Sequence, residues 1–128
     1  MARPFIVTAA MANKYARLHL FTEEYDKKSA DAWCILLHLN GEVMGHFFVQ
    51  GGVWDNIGIT RAALALEAKG VIIVSNHPCD DPNPPESELY GTGALKKALS
   101  TFDIQLIDHI ILAESSFYSF AEEEVKEL

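Results

Sequence analysis

The sequence predicts a single α/β (α+β) domain over residues 1–128, a mixed β-sheet with helices packed on its faces. Three observations carry that expectation. Val71-Ile72-Ile73-Val74 is a continuous β-branched run of the kind buried on both faces of a sheet. Two apolar runs flank Asn40-Gly41, a dipeptide suited to a type I′ hairpin turn. Between them, Ile59, Ala62, Ala63 and Leu66 fall at helical offsets.

Element by element, Ala9 to Phe21 has helical propensity, and within it Leu18 and Leu20 are expected to face the core and His19 the solvent. A polar connection follows, Thr22 to Lys28. Trp33 to Leu39 reads as the first hairpin strand and Glu42 to Gln50 as its partner, ended by Gly51-Gly52. Asp55 or Asn56 can cap the next helix, with Lys69-Gly70 as its stop. After Val74, four of the five prolines crowd into Pro78 to Pro85, so Ser75 to Glu88 reads as an irregular loop. Thr92 to Phe102 is the third helix and Ile104 to Leu112 the next strand. Phe117 to Phe120 is a short last strand, and Ala121 to Leu128 an acidic, helical end.

Composition narrows function. With 128 residues, 49% hydrophobic and 22% charged, the chain suits one soluble domain with a real core. No apolar run is long enough to span a bilayer and the start has no secretory pattern, so a cytoplasmic protein without membrane contact is expected. Ten basic against eighteen acidic residues, net charge −8, argue against direct nucleic-acid binding. The two cysteines, Cys34 and Cys79, are too few for a multi-cysteine zinc site; Cys34 reads as core.

The proline-rich loop holds most of the candidate chemistry, because long loops at strand ends in α/β sheets are where sites collect. Its ionisable residues are His77, Cys79, Asp80, Asp81, Glu86 and Glu88. Elsewhere, His38 and His46 are expected on opposite faces of the hairpin, paired with Val43 and Ile35. His109 is expected to be a structural strand residue hydrogen-bonded within the sheet. Trp33 and Trp54 bracket the hairpin as packing residues, Trp54 within reach of a cleft.

Val71 to Pro84 resembles the signature of the RadC-type JAB/MPN (JAMM) domains, in which a strand ends in His-Asn-His-Pro-Ser-Gly-Asp-Pro-x-Pro-Ser with an Asp three residues beyond the last Ser. Arg61 to Ala68, Leu106 to Leu112 and Phe117 to Phe120 resemble the flanking helix and closing strands, so the likeness runs from about Asp31 to Phe120. It implies a JAB/MPN-like (cytidine-deaminase-like) fold. The helix-hairpin-helix segment that often precedes this domain is not seen.

In that family two His and one Asp hold zinc, a Glu activates the zinc-bound water, and a Ser steadies the oxyanion. Transferred by position, His77 keeps the second ligand. Ser75 stands at the first ligand position, Glu88 at the ligand Asp, Pro85 at the oxyanion Ser and Asp31 at the catalytic Glu. Cys79 and Asp81 belong to the same loop. With metal binding left to His77 and Glu88 alone, the resemblance implies zinc absent or weakly held. The expectation is a catalytically degenerate domain that binds a peptide or protein partner or pairs with its own copy. The alternative is a zinc-dependent peptidase or isopeptidase of the JAMM type with Asp31 as base. The DNA-repair role historically attached to the family is disfavoured by the acidic charge.

Overall fold

Thr8 opens the first helix by accepting the Met11 backbone N–H on its Oγ1 at 3.1 Å, which makes it the N-cap of α1, Ala9–His19. The small residues Ala9, Ala12 and Ala16 form the buried stripe of α1, letting the helix lie close to the sheet. Leu20 is buried and His19 exposed as expected, but Leu18 points to solvent, because the helical period and not strict alternation sets the buried face. In this computed structural model the described residues are 3–21, 32–77 and 81–128.

The hairpin is formed by β1, Ala32–Leu37, and β2, Val43–Val49. Its turn is not type I′. Only Gly41 has positive φ, +92°, and the Gly41 N–H donates to the His38 carbonyl at 3.0 Å. Asn40 instead accepts the Glu42 N–H on its side chain at 3.0 Å. The register slips between Leu36 and Leu37, so Val43 pairs with Leu37 and not with His38, whereas His46 does face Ile35.

A 3-10 turn, Gly52–Trp54, leads to α2, Asn56–Ala65, capped by Asp55, whose Oδ1 accepts the Gly58 N–H. The helix ends earlier than Lys69-Gly70: Glu67 takes the left-handed conformation, φ 58°, and reverses the chain. Gly70 instead starts β3, Gly70–Asn76, where a β-carbon would collide with Ile107.

β3 is buried along its whole length and carries Ser75 and Asn76 inside the sheet, not in the loop. α3, Glu86–Ser100, begins six residues before Thr92, so Glu86 and Glu88 sit in its first turn. Pro85 precedes that turn with φ −71°, and the acidic residues there complement the helix dipole. β4, Gln105–Leu112, runs parallel to β3. β5, Ser116–Ser119, and β6, Glu124–Glu127, close the sheet. The acidic end is therefore a strand and not a helix: Glu123 turns the chain with φ 55°, and residues 124–127 pair with β5.

The sheet order is β2-β1-β3-β4-β5-β6, antiparallel except for β3–β4. One face packs α1 on Ile35, Ile72, Val74, Ile110 and Leu112. The other packs α2 and α3, through Ile59, Ala63, Leu95 and Leu99, on Cys34, Val71 and Ile73. Burial pushes the Cys34 thiol up to about 12, which leaves it inert packing. Among the described residues no helix is long and apolar enough to cross a membrane.

Asp108 ties the end of this sheet together. Its Oδ1 accepts the backbone N–H groups of His109 and Ala121, and its Oδ2 accepts the Ser119 hydroxyl at 2.7 Å. Asp108→Ala would leave those donors unpaired in a largely buried place. Urea denaturation should show a loss of about 2–4 kcal/mol; a loss within about 0.5 kcal/mol, the range of ordinary surface changes, would contradict this role.

Candidate functional site

A cleft of about 380 Å³ opens where β3 ends, bounded by the 3-10 turn, the start of β1 and the first turn of α3. The alternation of β3 sends Ile73, Ser75 and His77 to the same side, toward α3. The His77 N–H extends the parallel pairing by donating to the Leu112 carbonyl at 3.1 Å, which fixes the histidine at the strand's exit. Because α3 starts at Glu86, Glu88 is held by the helix and not by a loop, and it faces both residues.

The central contact joins His77 and Glu88, with Nε2 to Oε2 at 2.7 Å and both side chains mostly buried. The other ring nitrogen, Nδ1, faces the Asp81 carbonyl at 3.2 Å. A carbonyl and a carboxylate only accept, so both ring nitrogens donate when both bonds are made, and the ring is then an imidazolium. The hydrogen bond to Glu88 accordingly raises the His77 pKa above its ordinary 6.5, against the opposing effect of burial. Burial works against ionised Glu88, but the hydrogen bond from His77, the electrostatic influence of His109 and His77, and the Ser75 hydroxyl outweigh it and set the carboxyl below its ordinary 4.5.

Ser75 donates its hydroxyl to Glu88 Oε1 at 3.1 Å and lies 2.8 Å from His109 Nε2. His109 Nδ1 is 2.7 Å from the Thr92 hydroxyl. One proton assignment satisfies every partner. Thr92 donates to Nδ1, the His109 Nε2–H donates to Ser75 Oγ, and Ser75 donates to Glu88. That needs a neutral His109, in keeping with its complete burial, which lowers its pKa to about 4. The ring stacks on Phe120, centroids 4.5 Å apart.

Thus Ser75, His77 and Glu88 come together. Pro85 and Glu88 both line the cleft, but Pro85 has neither N–H nor hydroxyl to offer it. Asp81 contributes its carbonyl; its carboxylate is turned to Asn83, accepting that residue's backbone and side-chain N–H groups, which lower its pKa. Asp31 and Cys79 lie outside the described residues. His38 and His46 are placed apart, His38 3.7 Å from Glu42 and His46 bonded to the Tyr15 hydroxyl at 2.7 Å.

His109 is hydrogen-bonded within the sheet as expected, from β4 to Ser75 on β3, and its further bond to Thr92 ties both residues into the Glu88 network, a link that sequence reasoning did not make. The available signal was the parallel register, which sets His109 opposite Ile73, diagonal to Ser75. Trp54 is 60% exposed, at the cleft's rim and not in the core.

The side chains that meet at the Glu88 carboxylate are one imidazole and one hydroxyl. Among the described residues no three His, Cys, Asp or Glu side chains converge to hold an ion. The hydroxyl of Ser75 is a poor ligand, and the lone pair that His77 Nε2 would give a metal is protonated in its bond to Glu88.

Both partners contribute to stability, each over its own pH range. Glu88, with a lowered folded pKa, contributes above about 4.5 and loses its contribution as pH falls through the folded value. His77, with a raised folded pKa, contributes fully below about 6.5 and loses its contribution as pH rises through the folded value. The pair therefore stabilises most between those two limits. Imidazole NMR titration should find His77 titrating above 6.5 and His109 neutral from pH 5 upward. Glu88→Gln should lower the His77 value; an unchanged His77 titration in that variant would contradict the pairing.

The family model described as the RadC-like JAB domain matches residues 8–125. Among similar curated proteins, a UPF0758 protein of Aquifex aeolicus is 29% identical over 121 residues, 91% of this chain and 52% of that protein. One from Carboxydothermus hydrogenoformans is 33% identical over 102 residues, 76% of this chain and 45% of that protein. The chain spans about half the length of these relatives. The mixed sheet, the strand-end cleft and the family match together establish that the chain belongs to the RadC-like JAB domain family.

Proposed function

We propose that this domain keeps the JAB scaffold but uses its cleft to bind an extended peptide segment, with no metal-dependent hydrolysis. The observation that carries the reading is the closure of the Glu88 carboxylate: one oxygen is taken by His77 and the other by Ser75. A carboxylate held in this way is a structural clamp between β3 and α3. Loading a divalent ion would require His77 to lose a proton and Glu88 to exchange its existing partners.

The cleft supports a binding role by size and chemistry. About 380 Å³ lies within the usual range for ligand pockets and accommodates a short stretch of peptide. Gln50 and Ser87 are among its lining residues and offer amide and hydroxyl groups to a peptide backbone, while Val53 and Trp54 supply apolar surface. Nothing in the reading calls for a nucleophile or a general base.

Protein purified without chelator and then incubated with zinc should retain less than about a tenth of an equivalent by elemental analysis. Ser75→His, which restores the third donor by type, should raise zinc affinity about tenfold or more. Stoichiometric zinc in the unaltered protein, with peptide hydrolysis that His77→Ala abolishes, would overturn the proposal in favour of a JAMM-type hydrolase.

A further inference from the structure

Beside the cleft stands a pair of aromatic side chains that neither the core nor the Glu88 network uses. Trp54 is 60% and Tyr90 72% exposed, with ring centroids 6.0 Å apart and planes inclined at 30°. They come from different elements, the 3-10 turn and α3, and a close approach brings them together. Gly91 makes it possible: a β-carbon there would lie 2.8 Å from Val53 Cγ2 and 3.7 Å from Trp54 Cε2. Two large, exposed rings, tilted by 30° to one another where Gly91 lets α3 approach Val53, form an apolar platform continuous with the cleft, since Trp54 also lines it.

Charge selects the occupant. The described residues lining the cleft include no lysine or arginine, and the carboxylate among them, Glu88, is paired with His77. Glu86, exposed and one helical turn before Tyr90, puts a further carboxylate on the platform's side of α3. The chain as a whole carries −8. An anionic ligand would meet repulsion from Glu86, whereas a cation over the aromatic faces meets the ring quadrupoles and the Glu86 carboxylate together. Resting on the peptide-binding reading above, we infer that the cleft prefers basic peptides, with an arginine or lysine side chain laid across Trp54 and Tyr90 and its head group directed to Glu86. Arginine is favoured over lysine, because a planar guanidinium stacks on a ring as well as carrying charge.

The test uses the full chain, labelled with nitrogen-15, and four acetylated and amidated pentapeptides, Gly-Gly-X-Gly-Gly with X as Arg, Lys, Leu or Glu. Binding is followed at the Trp54 indole N–H, assigned with Trp54→Phe, and at the Gly52 amide in the cleft. The arginine peptide should move both signals and bind about three- to fivefold tighter than the leucine peptide, the ratio expected of an exposed cation–π contact. Tyr90→Ala, a change at an exposed position, should remove that preference while the Gly52 shift persists. Leucine or glutamate peptides binding as tightly as arginine, or a preference that survives Tyr90→Ala, would overturn the platform and leave the peptide-binding reading standing. If none of the four peptides moves either signal, both readings fall.

Discussion

The Glu88 carboxylate is the constraint on which the rest of the site depends. It is mostly buried, and an ionised carboxylate in such a place persists only if its oxygens are answered by donors. His77 answers one with its Nε2–H and Ser75 the other with its hydroxyl. Ser75 can give its single proton to Glu88 because His109 supplies a hydrogen bond to the same oxygen from behind, and His109 can do so because Thr92 satisfies its far nitrogen. The chain of donors runs one way, from α3 through β4 and β3 back to α3. Removing the carboxylate would leave the protons of Ser75 and His77 without their acceptor.

The fold produces this arrangement through two local choices. Continuing β3 to Asn76 keeps Ser75 within the sheet, where its neighbours on β4 include His109. Starting α3 directly after Pro85 brings Glu88 into the first helical turn, near free backbone N–H groups that favour a negative charge. A glutamate is well suited here, since it reaches from a helix to two partners on a strand. In a site built around an ion, the same convergence of side chains would be arranged about the ion, and His77 would have to present a lone pair in place of a proton.

Much of this was legible in the sequence. The β-branched run, the hairpin and the motif between Val71 and Pro84 identified the sheet, the fold and the loop from which His77 extends. The motif alignment also put Ser75 and Glu88 in one place. The limits of the elements were harder to read. Proline density hid the helix start, although Pro85 followed by Glu86 and Glu88 is itself a helix-opening pattern. The acidic composition of residues 121–128 suggested a helix, whereas pairing with β5 decided otherwise. His109 and Thr92 could not be placed from spacing, because His109 lies 34 residues from Ser75 and meets it through the parallel register, and Thr92 joins only through His109.

The most direct check on this account is a crystal structure grown with excess zinc and examined at the zinc absorption edge. No ordered anomalous peak is expected between Ser75, His77 and Glu88, and His77 Nε2 should remain within hydrogen-bond distance of the Glu88 carboxylate. A fully occupied ion in the cleft, with His77 and Glu88 in a tetrahedral inner sphere completed by any further groups, would contradict it.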